Sequence, residues 1–212
     1  FEKIEDIDVP DNFSHMAVAS NKLFGQAGGE IVVFDVNNIT EAGIRKIEGI
    51  DNVVSTANLI VDKNGTLWAY GSETDKVTLH QIDPVTEKLV KSHEIPFVAK
   101  DAADFEEGSI MDSPRSWGFD INRMETDKTK GKLYFVLKTC KATPAQEQMV
   151  VFTFDIDSKE YAPYRTLPGL TEMYGLGISP DGDVYLCDCL DYTAQRGYLR
   201  EYKEDGNVVS TY

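Results

Sequence analysis

The chain has 212 residues, 42% of them hydrophobic and 27% charged, which is enough length and apolar content to bury a core and argues against a disordered protein. Its 21 Lys and Arg against 36 Asp and Glu give a formal net charge of -15, which disfavours nucleic acid and anionic membrane surfaces as partners. No apolar run approaches the ~20 residues that a membrane-spanning helix requires.

The elements in chain order begin with one strand at 1–9. After it the chain presents the same series four times: an apolar run, a turn, a second run rich in aromatic residues, a loop, an alternating run and a short last strand. Each series predicts one four-stranded antiparallel sheet. The four predicted sheets occupy about 14–48, 54–96, 117–168 and 173–212.

The second run of each series carries the clearest signature, an aliphatic residue followed by an aromatic one. These pairs are Leu23 and Phe24, Leu67 and Trp68, Leu133 and Tyr134, and Val184 and Tyr185. Three of the turns before them are short and rich in Asn, Asp and Gly, residues that accept the positive φ of tight hairpins. The third runs recur about every 48 residues with one longer interval, within the range of propeller blades.

We therefore predict an all-β protein, a single β-propeller domain over 1–212 with four visible blades of four strands each. A β-sandwich or barrel is the alternative, because it also uses many short strands, but it does not repeat the same turn chemistry at a fixed period. The strand at 1–9 is predicted to be the outer strand of a preceding blade, so we expect further blades on the N-terminal side.

The last series, 174–212, contains a recurring phrase of a Tyr-Gly pair, an Asp-Gly turn, a Val-Tyr strand and a closing Asp-Gly hairpin. Its residues are Tyr174, Gly175, Asp181, Gly182, Val184, Tyr185, Asp188, Asp191, Tyr192, Gly197, Asp205 and Gly206. This segment resembles the propeller lipoproteins of Bacteroides-type outer membranes that are called surface layer proteins and are related to YncE-like propellers. The likeness is close over the last series and looser over the other three.

The resemblance implies a seven-bladed ring outside the cytoplasm, at the outer-membrane surface or in the periplasm. It implies attachment to the membrane only through an N-terminal lipid anchor that these residues do not include. Some proteins of that family capture corrinoids above an outer-membrane transporter. A corrinoid or another nutrient is therefore the implied small-molecule ligand, and a transporter the implied partner.

The connections after the second and fourth strands of each blade share one end of a propeller, around its central funnel. We call this end the loop end; here it includes the connection expected at 188–196. Aromatic rings interleaved with a few charges suit a flat, partly polar ligand. The candidate ligand-binding residues are Phe13, His15, Arg115, Trp117, Tyr174, Asp188, Asp191, Tyr192 and Arg196. Each also has a structural interpretation, as a ring packed between blades, a hydrogen-bonded histidine or an aspartate that accepts loop amides.

Enzymatic signatures are missing from the sequence, which has no GxSxG, no HExxH and no glycine-rich phosphate loop. Its three cysteines, Cys140, Cys187 and Cys189, are an odd number and have no zinc-ligand spacing with the three histidines. No catalytic residue, metal or cofactor is therefore assigned. The sequence favours a non-enzymatic ligand-binding propeller; the alternatives are a hydrolase or lactonase-like enzyme with a divalent cation in the funnel, and a protein-interaction platform.

Overall fold

The computed structural model describes residues 13–37, 43–50, 59–72, 76–96, 124–139, 148–167, 173–191, 196–203 and 208–211. Within these ranges the regular structure is β-strand, and no α-helix is present. Across the same ranges, no helix has the length and apolar character needed to cross a membrane.

The strands form four antiparallel sheets of four strands each. The first contains β1 (Ser14–Ala19), β2 (Lys22–Ala27), β3 (Glu30–Asp35) and β4 (Arg45–Lys46). The second contains β5 (Ile60–Val61), β6 (Leu67–Ser72), β7 (Lys76–Asp83) and β8 (Lys88–Pro96). The third contains β9 (Met124–Asp127), β10 (Lys132–Thr139), β11 (Gln148–Asp155) and β12 (Tyr161–Leu167). The fourth contains β13 (Met173–Ile178), β14 (Val184–Asp191), β15 (Arg196–Tyr202) and β16 (Val208–Thr211).

The sheets are the blades of a β-propeller. Each sheet keeps its four strands in chain order, and every neighbouring pair is antiparallel. The first strands of consecutive sheets, β1, β5, β9 and β13, lie next to one another along the series. This arrangement of four separate sheets that meet at their first strands excludes the β-sandwich alternative, in which two sheets pack face to face. The prediction of an all-β propeller with four four-stranded blades is confirmed.

The hydrophobic core lies between the blades. Successive side chains of a strand point to opposite faces, so each blade has a leading face toward the preceding blade and a trailing face toward the next one. The core between the first two blades includes Phe24, Ile31, Val33, Leu67 and Ile82. The core between the second and third includes Trp68, Tyr70, Leu79, Leu133, Phe135 and Phe154. The core between the third and fourth includes Tyr134, Val136, Val151, Val184, Leu186 and Tyr202.

The aliphatic and aromatic pair is the element that stacks one blade on the next. Leu67 belongs to the core with the first blade, whereas its neighbour Trp68 belongs to the core with the third. Leu133 and Tyr134 divide in the same way between the second and fourth blades. All four side chains are fully or almost fully buried. In the second and third blades, the aliphatic residue of the signature therefore packs against the preceding blade and the aromatic residue against the next one.

Aspartates hold the turns at the other end of the blades, which we call the hairpin end. Asp62 Oδ1 accepts hydrogen bonds from the amides of Asn64 and Thr66 at 2.8 and 3.0 Å. In the third blade Asp155 accepts hydrogen bonds from the amides of Ser158 and Asp157. The bond from Ser158, which outweighs the opposing effect of burial, and the bond from Asp157 hold the pKa of Asp155 below its usual value. Equivalent carboxylate-to-amide bonds form at Asp83 and Asp127. Part of the acidic composition is therefore structural.

An ionic cluster joins the first two blades at the hairpin end. Nε and Nη2 of Arg45 each donate a hydrogen bond of 2.7 Å to the carboxylate of Glu87. Nζ of Lys22 lies 2.8 Å from the same carboxylate and also donates to the carbonyl of Val85. The pKa of Glu87 is lowered to about 2, mainly by the hydrogen bond from Arg45 and further by that from Lys22. Partial burial raises this pKa but is outweighed by the two bonds.

We expect this cluster to make the stability of the protein depend on pH in the acid range. Because the pKa of Glu87 falls from 4.5 to about 2 on folding, its contribution is complete above pH 4.5 and is lost as the pH falls from there toward about 2. Glu87→Gln should therefore lower the urea midpoint near neutral pH, and the difference from the parent protein should shrink at about pH 3. Glu30→Gln, which breaks an exposed ion pair with Lys46, is the control and should change little. A difference for Glu87→Gln that does not vary with pH would contradict this linkage.

Candidate functional site

The structure places six of the nine candidate residues. Arg115, Trp117 and Tyr192 lie outside the described residues. Tyr174, Asp188, Asp191 and Arg196 are described by their strand positions, and Phe13 and His15 by their side chains as well. The six lie at the loop end, in the first and fourth blades.

His15 lies in a β-bulge at the beginning of β1. Ser14 pairs with Gln26 and Ala17 with Phe24, so β1 contains one residue more than β2 over this stretch. His15 has a φ of 49°, in the left-handed region that residues with a side chain adopt uncommonly. Its side chain is half-buried. Bulges redirect side chains, and strained backbone of this kind is concentrated at functional sites.

A second bulge begins β13 of the fourth blade. Met173 pairs with Asp188 and Gly175 with Cys187, which leaves Tyr174 as the extra residue. Both bulges lie where an inner strand begins, at the loop end of its blade. The residue types of the sequence indicate His15 and Tyr174 but not the bulges, because one extra residue leaves the apolar pattern of a short strand almost unchanged.

The other candidates of the fourth blade mark the ends of two paired strands. β14 continues to Asp191 and β15 begins at Arg196, so the connection expected at 188–196 is shorter and the predicted boundary was wrong. The polar residue Asp188 does not end β14, because the hydrogen bonds between paired strands are made by the backbone and not by the side chains. Asp188 pairs with Met173 on one side and Tyr198 on the other. Asp191 and Arg196 pair with each other, so an acidic and a basic residue stand on either side of 192–195.

Phe13 packs on the leading face of the first blade. A Cβ atom at Gly25 would lie 2.1 Å from Cε2 of Phe13, so the ring covers the glycine directly. The ring also meets Phe34 edge to face, with centroids 5.5 Å apart at 89°. Phe34 is fully buried. These contacts favour the structural interpretation of Phe13, and we give it no role in the proposed site.

Two contacts at the hairpin end join neighbouring blades. Lys63 of the second blade lies 2.9 Å from Asp157 of the third. The hydroxyl of Tyr164 donates to the carbonyl of Gly182 at 2.6 Å and ties the third blade to the fourth. Among the described residues, no three His, Cys, Asp or Glu side chains are arranged to hold a metal ion. This end supplies structural contacts between blades.

An open groove of about 520 Å³ lies on the third blade at the same end. Its lining includes Lys132, Asp155, Lys159 and Glu160, so its charges are mixed. Lys159 donates to the carbonyl of Ile156 and lies 5.7 Å from the ring centre of Trp68, while Asp155 accepts turn amides. The groove therefore offers few uncommitted charged groups to a ligand.

The fold is that of a β-propeller, and its candidate site lies at the loop end, where bulges begin the inner strands β1 and β13. No sequence family and no curated protein matches this chain. Solved structures match it by fold. A quinoprotein alcohol dehydrogenase-like protein from Bacteroides thetaiotaomicron aligns with a TM-score of 0.58 and 15% identity over 92% of this chain and 44% of its own.

Two further propeller-like structures come from the same organism. The extracellular domain of a one-component system aligns with a TM-score of 0.58 and 10% identity over 98% of this chain and 23% of its own. An auxiliary nutrient binding protein aligns with a TM-score of 0.52 and 14% identity over 93% of this chain and 40% of its own. This chain thus spans less than half the length of these three proteins. At such identities the likeness shows the shared fold.

Proposed function

We propose that this chain belongs to a non-enzymatic, extracytoplasmic β-propeller that binds a small organic ligand at the loop end. The observation that carries the proposal is the pair of bulges at His15 and Tyr174, which interrupt two inner strands at the same end of their blades. At the hairpin end, Arg45 binds Glu87, Asp62 accepts a turn amide and Tyr164 binds a backbone carbonyl, so these groups already have partners, which supports the choice of the loop end.

A flat, partly polar nutrient is the ligand class that these residues suit. Tyr174, together with Trp117 and Tyr192 of the sequence, supplies aromatic surface, and Asp188, Asp191 and Arg196 supply hydrogen-bonding groups. A corrinoid is a broad, flat ring edged with amide groups and has this chemistry. The resemblance of 174–212 to surface propeller lipoproteins supports the same choice, with a lipid anchor and an outer-membrane transporter as the associated partners.

Similar folds support a location outside the cytoplasm. One matched structure is an extracellular domain and another is a nutrient binding protein, both from Bacteroides thetaiotaomicron. The enzymatic alternative needs several carboxylates around a cation in the funnel.

Ligand titrations test this proposal. Corrinoids, sugars and short peptides are titrated into the purified protein, and the tightest binder is measured again with Tyr174→Ala and Tyr192→Ala. Truncating a true aromatic anchor costs ~2 kcal/mol, so at least one variant should bind roughly thirtyfold more weakly.

Asn64→Ala in the exposed hairpin of the second blade is the matched control and should leave affinity unchanged. Affinity that is insensitive to both tyrosines but reduced by the hairpin change would place the site at the other end. Absence of binding to all three ligand classes would overturn the proposed function.

A further inference from the structure

The interface between the first two blades contains buried polar side chains in the half that is nearer the loop end. Gln26, on β2, is 1% exposed, and Thr78 and His80, on β7, are 4% and 5% exposed. Gln26 lies two residues after Phe24, whereas Thr78 and His80 precede Ile82 by four and two residues. Phe24 and Ile82 belong to the core between the first two blades. Because side chains alternate along a strand, the three polar residues face this same interface.

The interface between the second and third blades is filled with aromatic rings at the equivalent positions. Tyr70 lies two residues after the signature residue Trp68 on β6, and Phe135 and Phe152 form a cross-strand pair of the third blade. The ring centre of Phe135 lies 6.3 Å from that of Tyr70 and 5.9 Å from that of Phe152. All three rings are at most 6% exposed. Apolar packing therefore closes this interface as far as the loop-end half.

The first interface has smaller and more polar groups at those three positions. Gln26 occupies the position of the tyrosine. Ala69 and His80 form the cross-strand pair at the position of the two phenylalanines. Ala69 is fully buried as well, so the exchange takes ring volume out of a closed interface. A space of this kind holds water when buried polar groups line it, whereas an apolar cavity stays dry.

The hydroxyl of Thr78 is the second observation that indicates a bound molecule. Its Oγ1 atom is buried and has no hydrogen-bond partner in the part of the chain that the structure describes. Buried hydroxyls in native proteins are almost always bonded to a protein group or to ordered water, since an unpaired one is costly. Nδ1 of His80 lies 2.9 Å from Oγ of Ser92, which fixes the imidazole beside this hydroxyl's strand position. Imidazole and glutamine side chains both hydrogen-bond readily to water.

We propose that an ordered water molecule binds between the first two blades, hydrogen-bonded to the hydroxyl of Thr78, with Gln26 and His80 as the other polar groups of its site. The site lies next to the β1 bulge, because Ser14, the residue before His15, pairs with Gln26. The bulge is thereby linked to the second blade through water, where the second and third blades are linked by packed rings. This water site does not require the ligand proposed above.

A high-resolution crystal structure of the protein tests the site directly. We expect electron density for a water molecule at about 2.8 Å from Oγ1 of Thr78 and within hydrogen-bond distance of Gln26 or His80. A hydrogen bond from Oγ1 to a protein group would overturn the proposal. Side chains packed directly against Oγ1, with no water between them, would overturn it too.

Thr78→Val tests the same site by its energetics. Valine has nearly the shape of threonine without the hydroxyl, and Val150 stands at the equivalent position of the third blade. If the hydroxyl binds water, its removal takes a partner from that water, and Tm should fall by about 3 °C. If the hydroxyl has no partner, its removal eliminates a buried unpaired group, and Tm should rise. An unchanged or higher Tm would therefore contradict the proposal.

Thr78→Ser is the matched control, because it removes the methyl group and keeps the hydroxyl. The water should be present in the crystal structure of Thr78→Ser and absent from that of Thr78→Val. The same water in both variants would show that Thr78 does not hold it and would overturn the assignment. If Thr78→Val does not fold, the crystal structures of the parent protein and of Thr78→Ser still decide the question.

Discussion

Replacing Trp68 with alanine should lower the free energy of unfolding by about 4 kcal/mol. The indole is fully buried between the second and third blades and meets the ring of Phe154 at 5.6 Å and 63°. His93 lies at the same centroid distance on the blade of Trp68 itself. Removing the indole would leave a large cavity in a core that belongs to two blades, and neither sheet alone can close it.

Urea unfolding measures this loss. Val90→Ala is the control, because Val90 is 57% exposed on the outer strand of the same blade, and it should change stability by no more than about 0.5 kcal/mol. A loss below about 1 kcal/mol for Trp68→Ala would contradict a core between blades.

Asp62→Ala should destabilise the protein by about 3 kcal/mol, an unusually large effect for a turn residue. Asp62 is 3% exposed, and its Oδ2 accepts a hydrogen bond of 2.8 Å from Nε1 of Trp68. Its other oxygen accepts the amides of Asn64 and Thr66. The substitution would leave a buried indole N–H and the turn amides without their acceptor.

Asp83→Ala is the matched comparison. Asp83 also accepts amide hydrogen bonds in a hairpin turn, from Val85 and Thr86, but it binds no buried aromatic group. Its loss should cost about 1 kcal/mol. Equal losses for the two aspartates in urea unfolding would show that the bond to Trp68 contributes nothing beyond the turn. Asp62→Asn, which keeps an acceptor oxygen, should recover part of the stability.

The repeat was predictable from the sequence because its signal is local. Leu67 and Trp68 are neighbours with one side chain for each face of a strand, and the turn before them contains Asn64 and Gly65. Gly65 adopts a φ of 79°, as the hairpin interpretation requires. Four recurrences of this pattern identified four blades.

Contacts between distant residues and irregular pairing were not predictable. Arg45 and Glu87 are far apart in sequence, and nothing in either neighbourhood indicates that they meet between two blades. The bulges at His15 and Tyr174 depend on how two strands pair, which one strand's residues do not determine. The sequence therefore predicted which residue types form the candidate site and at which end of the blades they lie. The bulges that distinguish His15 and Tyr174 from the other candidates became visible only in the structure.

The core between blades has a consequence for synthesis on the ribosome. The trailing face of each blade, with Phe24, Trp68 or Tyr134, acquires its cover only after the following blade has been translated. At ~5–20 residues per second, an interval of roughly fifty residues leaves each aromatic side chain in water for several seconds. Among these three aromatic residues, Trp68 stays uncovered for the longest time, because residues 97–123 are translated before the strands that cover it. A nascent chain paused in this interval would present the indole and its apolar neighbours to chaperones.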